Sequence, residues 1–253
     1  MHTAPPQGHQ IMSSVIAEIS TPELTEQARQ RLIDAGKILE VNGQADLTRG
    51  HVSIRIPGEP NLFYMKPHSM GFDEITMENI VTCNLDGVKV AGGGRRHSEV
   101  FIHSEIYKAR PDVNSVIHTH PTHAVALSAT GKPLLPISQP SVAFYGGLPY
   151  YTDTIELIRN VEKGQGVVKA LCRCKALLMR NHGVVVVGAS VEESTVLAIM
   201  LENACEIQLK AEAAGGIGEM FASEVVNRLY QAMSEPEHYA INFNYMLRKL
   251  QRS

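Results

Sequence analysis

The chain has 253 residues, 44% hydrophobic and 19% charged, which is enough apolar content to bury one large core in a single α/β domain. A formal net charge of -3 and a pI near 6.4 give no basic field for nucleic acid, and no run of eighteen apolar residues offers a membrane span. The amino end lacks the charged, apolar and small-residue succession of a secretory leader, and Cys83, Cys172, Cys174 and Cys205 make neither a zinc clip nor a disulfide framework, so a cytoplasmic protein is expected.

Residues 1–20, with Pro5, Pro6 and Gly8, carry little pattern and read as a mobile or subunit-wrapping tail ahead of a domain over 21–253. Thr21 looks like an N-cap, with Pro22 at the first helical position. Leu24, Ala28, Leu32, Ala35 and Leu39 then space one buried face until Asn42-Gly43 stops it. From Val52 to Val90, short apolar runs cut by Pro57-Gly58, Pro67 and Asp86-Gly87 predict a sheet with tight turns, and Asp86-Gly87 is a hairpin signal. Ser98 can cap a helix from Glu99 to about Arg110. A strand over Asn114 to Ile117 follows, carrying His118 and His120 at its end. Pro133, Pro136 and Pro140 mark an extended passage to Gly146-Gly147, and Ile155 to Val161 begins another helical pattern. Ala176 to Met179 and Val184 to Val187 flank His182-Gly183 as strands around a tight connection. A long helix then runs from Val191 to Ala213 up to Gly215-Gly216, and a final one spans Ser223 to Met233.

The histidines carry the chemistry. In a strand, side chains two apart leave the same face, so His118 and His120 can offer two ring nitrogens to one cation, with His182 as a third. A single histidine is more often an ordinary hydrogen-bonded imidazole. The pair, with a carboxylate upstream at Glu99 and a third His-Gly beyond, favours a metal. Three neutral imidazoles leave a divalent charge largely uncompensated, so such a centre can act as an electron sink, and Glu99 beside it can accept or return a proton. His103, one helical turn after Glu99, reads as structural. His123, three residues after the pair, could touch substrate or donate a proton, or could simply pack.

The stretches Gly50-His51-Val52-Ser53-Ile54-Arg55, Glu78 to Gly87, Ser98-Glu99 with His103 and Tyr107 through Arg110-Pro111-Asp112-Val113, His118-Thr119-His120-Pro121 and Arg180-Asn181-His182-Gly183 resemble the class II aldolase/adducin family over about residues 23 to 213. The resemblance implies a central, mainly antiparallel sheet flanked by helices in three α/β/α layers. It also implies a homotetramer with active sites between neighbours, to which Tyr239, Tyr245 or Arg248 could contribute. It further implies one divalent cation per subunit, foremost zinc with manganese, iron or cobalt as alternatives, held by His118, His120 and His182 with Glu99 as fourth ligand or acid and base.

Where sugar-phosphate aldolases of the family have Gly-Asn, a Thr-Gly or Ser-Gly turn and paired serines, this chain has Gly50-His51, Lys66-Pro67-His68-Ser69 and His97-Ser98. His51, Lys66, His68 and His97, with Ser98, suit a carboxylate or a flat ring better than a phosphate cradle. Gln139-Pro140 stands near the place of the aldolase proton-donor tyrosine, and Tyr145 falls six positions late. The expected activity is therefore a metal-dependent carbon-carbon lyase that decarboxylates a hydroxylated aromatic acid such as a dihydroxyphthalate or a hydroxypyridine dicarboxylate. The alternatives are an aldolase or epimerase acting on a sugar acid or sugar phosphate, and a non-enzymatic adducin-like scaffold.

Overall fold

The computed structural model describes residues 21–252, so the expected amino-terminal tail lies outside the described residues. Helix α1 (Pro22–Leu39) starts as its sequence requires: the Thr21 hydroxyl accepts the Leu24 amide at 3.2 Å and Pro22 takes the first turn. A π-helical turn at Glu40–Gln44 ends it, where Gly43 adopts φ +74°, a conformation open to glycine at little cost.

Strands β1 (His51–Ile56) and β2 (Glu59–Met65) form a hairpin across Pro57-Gly58. Strands β3 (Val81–Asn84) and β4 (Lys89–Gly92) form a second one, whose turn is closed by Asn84 Oδ1 accepting the Asp86 and Val88 amides. The chain continues through α2 (Val100–Ala109), β5 (Ser115–Thr119), α3 (Thr122–Thr130), α4 (Gln139–Val142), β6 (Tyr150–Tyr151), α5 (Val161–Leu171), β7 (Ala176–Met179) and β8 (Gly183–Gly188). It ends in α6 (Val191–Ala213), α7 (Ser223–Met233) and α8 (Pro236–Leu250). The strands form one sheet in the order β4-β3-β2-β1-β5-β8-β7-β6, antiparallel except for the β6–β7 edge pair.

Strand parity divides the molecule into two cores. Val52, Ile54, Ile117, Val184 and Val186 face α1, α3, α6 and α8, while Val116, Val185 and Val187 face the other way with Phe63 and Met65 beneath α2 and α5. Both faces of β8 are buried, which is why it reads as an unbroken valine run. Each buried aliphatic side chain contributes about 1.5–3 kcal/mol relative to exposure, so the register is strongly fixed and a slip of one residue would invert every side chain.

Four expectations are corrected. Ser98 does not cap α2: the helix begins at Val100, and Glu99 occupies the cap position with no capping bond because its carboxylate is engaged elsewhere. Residues 155–160 are not helical. Asn160 accepts the Lys163 amide and starts α5 at Val161. The proline-marked passage contains the short α4, closed by a capping box between Ser138 and Ser141. Helix α8 was not expected; it buries only Tyr239 and Phe243, too narrow a stripe to stand out from the sequence, although Pro236 at its first position is a helix-start signal.

Candidate metal centre

Antiparallel pairing of β1 with β5 sets His51 opposite His118, and the two rings lie 5.0 Å apart on the α2 side of the sheet. His120 lies just past the end of β5. The β7–β8 turn, in which Asn181 takes φ +58°, turns His182 back toward both, and the three rings are 4.8–5.4 Å apart. This convergence needs glycine at 183. A Cβ there would stand 2.4 Å from the Thr119 carbonyl oxygen and 2.7 Å from His120 Cδ2.

Hydrogen bonding fixes which nitrogens are free. His118 Nδ1 is 2.9 Å from the Val184 carbonyl, which can only accept, so that nitrogen carries the proton. His120 Nδ1 is 3.1 Å from the Asp46 carboxylate and likewise donates. The Nε2 lone pairs of His118 and His120 then face each other at 3.1 Å, and neither can donate to the other. A cation between them would relieve that repulsion. Zn–N bonds of about 2.0–2.1 Å in a tetrahedron place neighbouring donors about 3.3 Å apart, close to the observed separation. The ligand atoms of His118, His120 and His182 lie within 4.8 Å of one another. Glu99 closes the group, with Oε2 at 3.8 Å from His118 Nε2 and Oε1 at 3.8 Å from His182 Nε2. The residues present therefore fit a divalent metal, with Asp46 and the Val184 carbonyl orienting two of its ligands from behind.

The electrostatics agree. Burial, then the neighbouring His120 and His182, hold His118 far below the usual histidine range, and burial with His120 pushes His182 down to about 4. Burial also lowers His120, against the pull of Asp46. All three are kept as neutral imidazoles, the form that binds metal. Burial raises Glu99, opposed by the Ile158 amide, which donates to Oε1 at 2.9 Å, and by Arg159.

A cavity of about 140 Å³ lined by Thr48, Arg49, Gly50, His68, Ser69, His97, Ser98, Glu99, His120, Leu157 and Arg159 opens onto the group. A second of about 520 Å³ reaches His120 and His182 past Asp46 and Leu157. His97, Ser98 and His68 thus face the space beside Glu99, and burial takes His97 down to about 3. His51 and Lys66 are fully buried and line neither cavity. The Lys66 ammonium donates to the Thr48 carbonyl at 3.1 Å, and burial pushes it down to about 8. His123 is turned to α6, where Glu202 receives its Nδ1–H at 2.7 Å and its backbone amide at 2.9 Å. His103 is wholly buried, between His51 at 2.6 Å and Ser53 at 2.6 Å, in keeping with a structural reading. Asp46, the Ile158 amide and Arg159 escaped the sequence reading, because a carboxylate far upstream and a loop amide leave no local motif.

Residues 30–209 match the model of the "Class II Aldolase and Adducin N-terminal domain". The chain is 35% identical to the "Meiotically up-regulated gene 14 protein" of Schizosaccharomyces pombe over 180 residues, 70% of either chain. It is 32% identical to "Decarboxylase NovR" of Streptomyces niveus over 168 residues, 66% of this chain and 62% of that one. Among solved structures it is similar to an L-fuculose 1-phosphate aldolase from Glaciozyma antarctica PI12, with TM-score 0.80 and 26% identity, covering 98% of this chain and 94% of that one. Among the described residues no helix is long and apolar enough to cross a membrane.

Proposed function

The chain belongs to the class II aldolase and adducin family, and we propose that within it this protein is a divalent-metal-dependent carbon-carbon lyase whose substrate is a hydroxylated aromatic dicarboxylate. One observation carries the reading: His118 and His120 present two Nε2 lone pairs to each other at 3.1 Å beside a buried carboxylate, an arrangement that a bound cation satisfies. When bound, zinc, manganese, iron or cobalt supplies an electrophile that lowers the energy of negative charge left on substrate oxygens as a carbon bond breaks.

The protein's own groups do the rest. His118, His120 and His182 would hold the cation, with Glu99 as fourth ligand or as acid and base. Its carboxyl, whose pKa burial raises, is placed to return a proton to the ring carbon that loses carbon dioxide. His97 and Ser98 line the cavity that would receive the second carboxylate, and Arg49 and Arg159 at the same cavity bring positive charge. His51 and Lys66 act from behind that wall, and His123 enters only if its bond to Glu202 opens. The 32% identity to a protein named a decarboxylase supports this choice over the alternatives.

An aldolase or epimerase acting on a sugar acid or sugar phosphate is the second reading, favoured by the 98% coverage on an L-fuculose 1-phosphate aldolase. A metal-free scaffold does not require the converging lone pairs. Zinc-loaded protein incubated separately with dihydroxyphthalates, hydroxypyridine dicarboxylates and sugar phosphates is expected to release carbon dioxide from one of the aromatic acids. Aldehyde from a sugar phosphate, with no carbon dioxide from any aromatic acid, would establish the second reading. Elemental analysis is expected to find one metal per chain; none would leave the scaffold. Subunit-interface sites in a tetramer are part of the same proposal, read out by the mass of the particle in solution.

A further inference from the structure

Behind Glu99 runs a buried chain of side-chain hydrogen bonds. The Tyr107 hydroxyl lies 2.7 Å from Ser53 Oγ, which lies 2.6 Å from His103 Nδ1. His103 Nε2 lies 2.6 Å from His51 Nδ1, and His51 Nε2 faces Glu99 Oε2 at 3.7 Å with no hydrogen-bond partner. His51, Ser53 and His103 are fully buried and Tyr107 is 2% exposed, with Phe63 packed against both His103 and Tyr107. These groups are shielded from bulk solvent, so their protons are arranged chiefly by one another.

Its direction follows from its far end. The Tyr107 hydroxyl has Ser53 Oγ as its partner at 2.7 Å, so the tyrosine's own O–H is directed there. Run the other way, Ser53 would donate to Tyr107 and leave a buried phenolic proton without an acceptor. With Tyr107 as donor, Ser53 must donate to His103 Nδ1. His103 then carries its proton on Nε2 and gives it to His51 Nδ1. The proton of His51 is thereby placed on Nε2, facing Glu99.

We propose that the Tyr107–Ser53–His103 chain fixes the proton of His51 on Nε2, the nitrogen that faces Glu99 Oε2 at 3.7 Å, which makes His103 a positioning residue for the His51 ring and removes His51 from the metal. The consequence is specific. The ligand atoms of His51, Glu99 and His118 also lie within 4.8 Å of one another, so distances alone would allow a cation there as well. A protonated Nε2 cannot coordinate, and the cation is confined to the His118, His120 and His182 side. Glu99 then accepts the Ile158 amide on Oε1 at 2.9 Å and has the His51 Nε2–H 3.7 Å from Oε2. The importance for catalysis rests on the reading of Glu99 as the reacting carboxylate, whereas the proton placement does not.

Nitrogen-15 NMR of zinc-loaded protein, with no substrate, tests it directly. The expected result is that His51 and His103 are both protonated on Nε2 and bare on Nδ1. His51 bare on Nε2, whether bound to zinc or reversed in tautomer, would overturn the proposal. His103→Met should keep one zinc per chain yet lose the slowly exchanging His51 Nε2–H, and His103→Gln, whose amide can both accept and donate, should restore it. Should His103→Met not fold, Ser53→Ala removes only the hydroxyl and is expected to give a mixture of His51 tautomers; an unchanged single tautomer there would refute the directional chain. On any substrate that turns over, His103→Met is expected to lower kcat roughly tenfold at unchanged KM, while failure of every lyase assay would leave the NMR result standing.

Discussion

The two faces of the central sheet use the same strands for opposite purposes. On the α1, α3, α6 and α8 side, β1 and β5 present Val52, Ile54 and Ile117 to a continuous apolar core. One residue out of phase, the same strands present His51, Ser53 and His118, every one fully buried. Burying so many polar groups is tolerable only because each is matched to a carbonyl, a carboxylate, another imidazole or a cation. The apolar face gives a rigid register, and that register brings the His118 and His120 Nε2 atoms to 3.1 Å, close to the spacing of neighbouring donors on one cation.

That division of labour can be broken from either side. The largest effect is expected on the polar face: His118→Ala should abolish stoichiometric metal and lower activity by roughly a thousandfold or more, several kcal/mol of lost charge stabilisation, with the melting curve of the metal-free protein little changed. Metal analysis beside calorimetry checks it, and retention of full metal would contradict the ligand assignment. On the apolar face, Ile117→Ala, one position away on the same strand, should cost about 2–5 kcal/mol of stability by leaving a cavity. Its metal stoichiometry below the melting transition should stay at one, so denaturant titration and metal content move oppositely in the two variants.

Smaller effects sharpen the picture. Asp46→Asn weakens the carboxylate that holds the His120 tautomer and should reduce metal affinity by roughly 10–100-fold, read by competition with a chelator. Far from the centre, Arg110 holds the Asp112 carboxyl at about 2 through its hydrogen bonds. A depressed carboxyl adds stability that is complete above its unfolded pKa of about 3.9 and disappears as pH falls toward 2. Because Asp112 is 55% exposed, Asp112→Asn should cost less than about 1 kcal/mol at pH 7 and nothing near pH 2, a difference that urea melts at the two pH values would show.

Much of this was legible in the chain. The His118–His120 pair at the end of an apolar strand, the His182-Gly183 turn, the start of α1 and the bounds of α6 each follow from local geometry, and appear as expected. What escaped depends on distant partners. Glu99 was expected inside a helical turn, but it sits at the cap, where its carboxylate accepts the Ile158 amide and lies 3.7–3.8 Å from His51, His118 and His182. Residues 155–160 carry a helical pattern yet stay irregular, since Asn160 caps a later start and the loop is needed over Glu99. Asp46 and Arg159 reach the centre only through folding, and no spacing rule links them to it. Lys66 and His51, suited by type to hold substrate, are drawn inside by the sheet that carries them.

The central claim is that three imidazole nitrogens share one cation, and a crystal of zinc-loaded protein measured across the zinc absorption edge tests it most directly. The account predicts one anomalous peak per chain, at about 2.0–2.1 Å from the Nε2 atoms of His118, His120 and His182, with the His51 ring outside bonding distance. A peak bound through His51 instead, or no peak while these three rings keep their present positions, would contradict it.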